Sequence, residues 1–194
     1  MTVKQEQLER PLTRQEQIAL KNKRTGMTVF QISWILVFVC LVVVYVQTRA
    51  NYLVWPPEGI QPASAAAGLL ALVALFASAW LTWRGLKAAR AGDQRAFVQQ
   101  WTVALALGAA FVVIGSAQWA AMPGDHQYGM LFRLLVGYHL IHAVAIGGYM
   151  LSVLISARSA QFMHHDLWPA AAAAKLWYFV VIAWVLFFIP LYLL

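Results

Sequence analysis

His139 and His142 stand three residues apart inside a long apolar run. At that spacing both rings lie on roughly one face of a helix. A haem held by two histidines needs ligands on opposite sides of its iron, normally from two helices. No other apolar run in the chain holds a histidine, so a haem b site would require another chain. A zinc site would need two further ligands nearby, and the sequence offers none. The expected role of both rings is a hydrogen bond to a facing helix, a lipid headgroup or a neighbouring subunit. His164-His165-Asp166 resembles a metal sequence only superficially, because adjacent residues rarely converge on one ion, and a solvated loop is expected there. Arg133, one turn inside the same apolar run as the two histidines, either snorkels to a lipid phosphate or contacts a neighbouring subunit. Ser64, Ser116 and Ser152 have no accompanying base, so nucleophilic catalysis has no support. The apolar runs contain no Asp or Glu, which argues against a proton pump, a channel or an ion-coupled transporter. No catalytic residue, cofactor-binding residue or metal ligand is expected in the chain itself.

The elements that carry these residues are set by composition. The chain has 194 residues, 62% of them hydrophobic and only 11% charged, against about 25% charged in a soluble domain. An all-α, polytopic membrane protein is expected, with room for one bundle and no soluble domain. Five runs, about 27–47, 62–83, 101–122, 130–156 and 173–194, are each near the 20 residues that cross the roughly 30 Å hydrocarbon layer. Residues 1–26 are a polar, basic tail with no secretory signal pattern. Within it Thr13-Arg14-Gln15-Glu16 reads as a capping box, suited to a short helix at the membrane surface. The single cysteine, Cys40, lies mid-span and excludes an internal disulfide.

The turns are equally legible. Trp55-Pro56-Pro57-Glu58-Gly59-Ile60-Gln61-Pro62 cannot be helical, because each proline fixes its own φ and pushes its predecessor towards extended geometry. Pro62 suits the first position of the second span, and Trp55 suits the headgroup level. Ala67 and Ala71, Ala74 and Ser78, and Ala104 and Gly108 are four apart, which lets a neighbouring backbone approach closely. The net charge of +7 is distributed for a membrane and not for nucleic acid. With the N-terminus inside, twelve Lys and Arg fall on the inner side and only Arg49 and Arg133 on the outer. The positive-inside rule then places the N-terminus in the cytoplasm and the C-terminus outside.

In this order the pieces resemble subunit III of haem-copper terminal oxidases, in its short five-span bacterial form. Trp55 to Pro62 matches that family's Trp-Pro-Pro-x-Gly-Ile-x-Pro loop, and Gly92-Asp93-Gln94-Arg95 matches its basic inner loop. Gly137-Tyr138-His139-Leu140-Ile141-His142 matches Gly-aromatic-His-x-x-His in the fourth span. Trp177-Tyr178-Phe179-Val180-Val181-Ile182-Ala183-Trp184 resembles the last span's Trp-His-Phe-Val-Asp-x-x-Trp. The similarity runs from about Met27 to Leu194. It departs wherever the family titrates: Trp34 follows Ile32-Ser33 where a carboxylate is common, Gln118 stands for a Glu, Tyr178 for a His and Val181 for an Asp.

The resemblance implies a non-catalytic accessory subunit of a respiratory oxidase in the bacterial inner membrane, with haems and copper in the partner catalytic subunit I. It implies packing against that subunit, stabilisation of it, and a cleft holding phospholipid between the first two spans and the last three. Trp55, Arg133, His139, His142, Trp177, Tyr178 and Trp184 are the residues expected at lipid or subunit contacts, with core packing the plainer role for the aromatic ones. The missing carboxylates leave a second expectation open, an accessory protein of a nitric oxide reductase. A third is an autonomous membrane haem carrier using His139 or His142.

Overall fold

The computed structural model describes residues 13–158 and 167–194. The described residues form helices α1 (Arg14–Arg49), α2 (Ala65–Arg90), α3 (Gln94–Ala121), α4 (Gln127–Ala157) and α5 (Trp168–Phe188), with no strand among them. The last helix continues into a widened turn at Ile189–Leu193, closed by the Leu194 N–H donating to Ile189 O at 3.2 Å. All five helices, α5 taken with its turn, are long and apolar enough to cross a membrane. Among the described residues, those up to Leu36 belong to one compact unit and those from Val37 onward to another. His164, His165 and Asp166 lie outside the described residues.

Helix starts explain two departures from the sequence reading. The Thr13 N–H and Oγ1 donate to Glu16 Oε2 at 2.7 and 2.8 Å, and the Glu16 N–H donates back to Thr13 Oγ1 at 3.3 Å. This is the expected capping box, but it opens α1 itself instead of a separate surface helix. The chain carries no proline between it and the span, and Gly26 alone costs the helix only about 1 kcal/mol. Pro62, in turn, does not open the second span. Ser64 is the N-cap, accepting from the Ala67 N–H at 3.3 Å, and α2 starts at Ala65. The Ala63 N–H is already committed to Tyr128 OH at 2.8 Å, which holds the chain extended up to Ser64.

The proline loop is tied down by aromatic rings. Its Trp55-Pro56 bond is cis and Gly59 adopts φ 83°, a conformation open to glycine at no steric cost. Trp55 Nε1 donates to Tyr45 OH at 2.9 Å, and the indole meets Tyr45 and Tyr128 edge-on at 5.8 and 5.5 Å. One loop residue thereby binds the end of α1 to the start of α4. Both tyrosine hydroxyls find partners, as amphipathic rings at a bundle end require.

Of the six small residues read from the sequence, Ala71, Ser78, Ala104 and Gly108 are buried, while Ala67 and Ala74 are half-buried. Ser78 Oγ donates to Ala104 O at 2.7 Å and accepts from Trp177 Nε1 at 2.8 Å, joining α2, α3 and α5 through one hydroxyl. A Cβ on Gly108 would come within 2.6 Å of the Trp177 ring, so the indole lies flat against bare backbone.

Candidate functional site

His139 sits at the centre of an aromatic cluster built by four helices. It is fully buried. Its ring stacks on Trp184 of α5 at 5.4 Å and meets Phe111 of α3, Phe38 of α1 and Phe187 of α5 at 5.4, 5.9 and 6.0 Å. Neither ring nitrogen has a hydrogen-bond partner, and Trp184 Nε1 is buried without one as well. The expectation of a hydrogen bond to a facing helix therefore fails for His139. The groups across from it are rings with no acceptor to offer. His142 donates through its Nδ1–H to Tyr138 O at 2.6 Å, and it shares the Phe38 ring with His139. Among the described residues, no three His, Cys, Asp or Glu side chains gather as metal ligands.

A buried imidazole with both nitrogens idle costs desolvation and returns only packing. Replacing His139 with Leu should therefore leave the melting temperature of the detergent-purified chain unchanged or raise it. A fall of more than about 5 °C, equivalent to over 1 kcal/mol, would mean that the ring nitrogens are engaged after all.

The other sequence-selected residues are placed as follows. Trp177 and Trp184, two turns apart, both point into the interior and are fully buried. The hydroxyl of Tyr178 is buried without a partner. Arg133 lies over the ring of Trp119 at 4.3 Å, while Trp119 Nε1 donates to Arg133 O at 3.0 Å. One indole thus holds both ends of this residue, a cation–π contact supported by a backbone bond. Sequence reasoning did not single out Phe38, Phe111 or Trp119. Their only signal was an aromatic in an apolar run, which does not say which way it faces.

α2 packs along both α3 and α5. An apolar cleft of about 490 Å³ lies between α3 and α4, walled by residues such as Leu105, Val112, Val144 and Leu151 and bordered by Trp177. Small residues on both helices, Gly108 and Gly147 among them, leave that space open. Its lining carries no charged side chain.

The family described as cytochrome c oxidase subunit III matches over residues 11–194. Relatives include cytochrome c oxidase subunit 3 of Sus scrofa, 27% identical over 143 residues, 71% of this chain and 54% of the relative. The Xenopus laevis protein of that name is 30% identical over 147 residues, with the same shares of each chain, 71% and 54%. The Pelomedusa subrufa protein is 25% identical over 181 residues, 88% of this chain and 69% of the relative. The chain spans about half the length of the first of these relatives. With five membrane-spanning helices and a family match over nearly its whole length, the chain belongs to the cytochrome c oxidase subunit III family.

Proposed function

We propose that this chain is a non-catalytic accessory subunit of a respiratory haem-copper oxidase, packing against the catalytic subunit, stabilising it and retaining phospholipid. The observation that carries the reading is the sealed interior around His139. Two ionisable groups of the fourth span are spent on packing, with His139 enclosed by rings and Arg133 laid on Trp119. Such an interior gives rigidity and shape, which is what a supporting subunit must supply. In this reading haems and copper reside in the catalytic subunit, and the chain is multi-pass in a bacterial inner membrane with its N-terminus in the cytoplasm. Large apolar side chains such as Leu69, Val73, Phe76 and Trp80 on one face of α2 remain exposed for lipid or partner.

Deleting the chain should leave the haem spectrum of the purified oxidase intact while the enzyme inactivates several times faster during turnover. Loss of a haem band on deletion would sink the reading. A nitric oxide reductase partner is the second reading, favoured by Trp34, Gln118 and Val181 where the resemblance leads one to expect carboxylates. Gln118 is engaged as a neutral acceptor, its Oε1 taking the Tyr192 hydroxyl at 3.1 Å. A mild-detergent pull-down separates the two: haem a or o with a large catalytic chain supports the oxidase, haem b alone with a reductase chain supports the alternative. A Soret band on the isolated chain would favour a haem carrier instead.

A further inference from the structure

The basic connection between α2 and α3 encloses a second cleft, about 430 Å³ in volume and open to solvent. Its α2 wall carries Trp83, Arg84 and Lys87, and its far wall carries Asp93, Ala96 and Gln100. The two cations are held over indoles one turn earlier on the same helix. Arg84 Cζ lies 4.9 Å from the Trp80 ring and Lys87 Nζ lies 5.7 Å from the Trp83 ring. Both indoles are more than half exposed, at 55% and 52%, at the basic end of the span, where amphipathic rings mark the headgroup level. The turn between the helices is fixed. Gly92 adopts φ 80°, and Asp93 caps α3 by accepting from the Ala96 N–H at 2.9 Å through Oδ1. Opposite the cations, Gln100 Oε1 is buried with no hydrogen-bond partner.

The two walls ask for different things. Arg84 and Lys87 call for an anion at membrane-surface depth. Gln100 Oε1 and the carboxylate of Asp93 call for hydrogen-bond donors beside it. A phosphodiester carrying free hydroxyls supplies both at that separation of roles, and a choline headgroup supplies no donor. We infer that the α2–α3 cleft is a binding site for an anionic phospholipid with a hydroxyl-bearing headgroup, of the phosphatidylglycerol class. The phosphate faces Arg84 and Lys87, the headgroup hydroxyls face Asp93 and Gln100, and the acyl chains leave along the exposed apolar side chains of Trp80 and Phe76. The site is separate from the α3–α4 cleft and rests on the proposed reading only in taking the chain to retain phospholipid as part of a complex.

The test uses the purified complex, exchanged into mild detergent and titrated with phosphatidylglycerol, phosphatidylcholine or inorganic phosphate, with bound mass read by native mass spectrometry. Phosphatidylglycerol should be retained, and phosphatidylcholine should not compete for it. Arg84→Gln and Lys87→Gln should each weaken retention about fivefold, and the double variant about 25-fold, the value of one and two cations near an anionic headgroup. Arg95→Gln, at the same end of the bundle but outside the cleft, should leave retention unchanged. Equal loss with Arg95→Gln would reveal diffuse attraction and overturn the site. Equal retention of phosphatidylcholine, or occupancy by inorganic phosphate without lipid, would overturn the lipid class. Failure to retain phosphatidylglycerol while the catalytic subunit stays bound defeats this inference alone. Absence of the catalytic subunit from the wild-type preparation defeats the accessory-subunit reading instead.

Discussion

Replacing Trp177 with Ala should lower the stability of the folded chain by about 3 kcal/mol. The indole is fully buried, lies on the bare backbone of Gly108, and donates at 2.8 Å to Ser78 Oγ, which itself donates to Ala104 O. Its removal empties a space bounded by three helices. In a membrane the lost stability comes mainly from packing, since lipid tails solvate an apolar side chain nearly as well as the interior does. That places the expectation at the lower end of the range for large truncations in soluble cores. The hydrogen bond is the smaller part. Trp177→Phe keeps most of the ring contacts and should cost only about 1 kcal/mol, because Ser78 keeps its acceptor at Ala104 and no buried hydroxyl is left idle. Melting of the detergent-purified variants would read this as a drop of roughly 6–12 °C for Ala and 2–4 °C for Phe. Equal losses for the two would mean that the hydrogen bond, and not the ring, joins α2, α3 and α5. No loss with Ala would remove Trp177 from the core altogether.

Trp177 also shows what a sequence can and cannot disclose about such a bundle. Helix number and approximate position follow from hydropathy alone, because each span must satisfy its own backbone in hydrocarbon. Small residues four apart on α2 and α3 pointed correctly to close approach, and the structure puts Trp177 across them. The proline loop was recognisable as non-helical from local sterics. Its anchoring by Tyr45 and Tyr128 was not, since those rings come from helices distant in sequence. Helix starts were misjudged where a local rule met a stronger one. Pro62 suits a first turn, but Ser64 caps better and Ala63 is held by Tyr128.

The histidines mark the sharper limit. Spacing put His139 and His142 on roughly one face, yet one turn of helix separates a sealed ring from one bonded to its own backbone. Which side of that face is inside depends on Phe111 and Trp184, contributed by α3 and α5. The α3–α4 cleft was hidden for a related reason: small residues on α3 and α4 open a gap only because those two helices lie side by side. Pairing of spans is a tertiary fact, and a membrane chain lacks the alternating polar faces that would announce it.

Phe38→Ala should produce the second large effect, and a more local one than Trp177→Ala. α1 has two fully buried residues, Phe38 and Tyr45, along its whole length. Phe38 contacts rings on two helices, with Tyr138 at 5.0 Å, Phe187 at 5.1 Å, Phe179 at 5.3 Å and His142 at 5.4 Å. Truncation removes the ring that these groups share and uncovers His139, for a loss of about 3 kcal/mol. Tyr45 remains tied to Trp55, so the end of α1 stays anchored while its middle is freed. Hydrogen exchange should therefore rise for residues 37–44 while α3 and α5 keep their protection, a sub-global opening instead of general unfolding. Phe38→Leu, which keeps most of the volume, should cost about 1 kcal/mol and raise exchange far less. If exchange rises equally in every helix, Phe38 supports the whole bundle and α1 is not a separable element. Unchanged exchange with Ala would show that α1 is held by contacts other than this ring. With the predicted pattern and a catalytic subunit that co-purifies less well with the variant, the Phe38 ring becomes the link between an ordered α1 and retention of the partner.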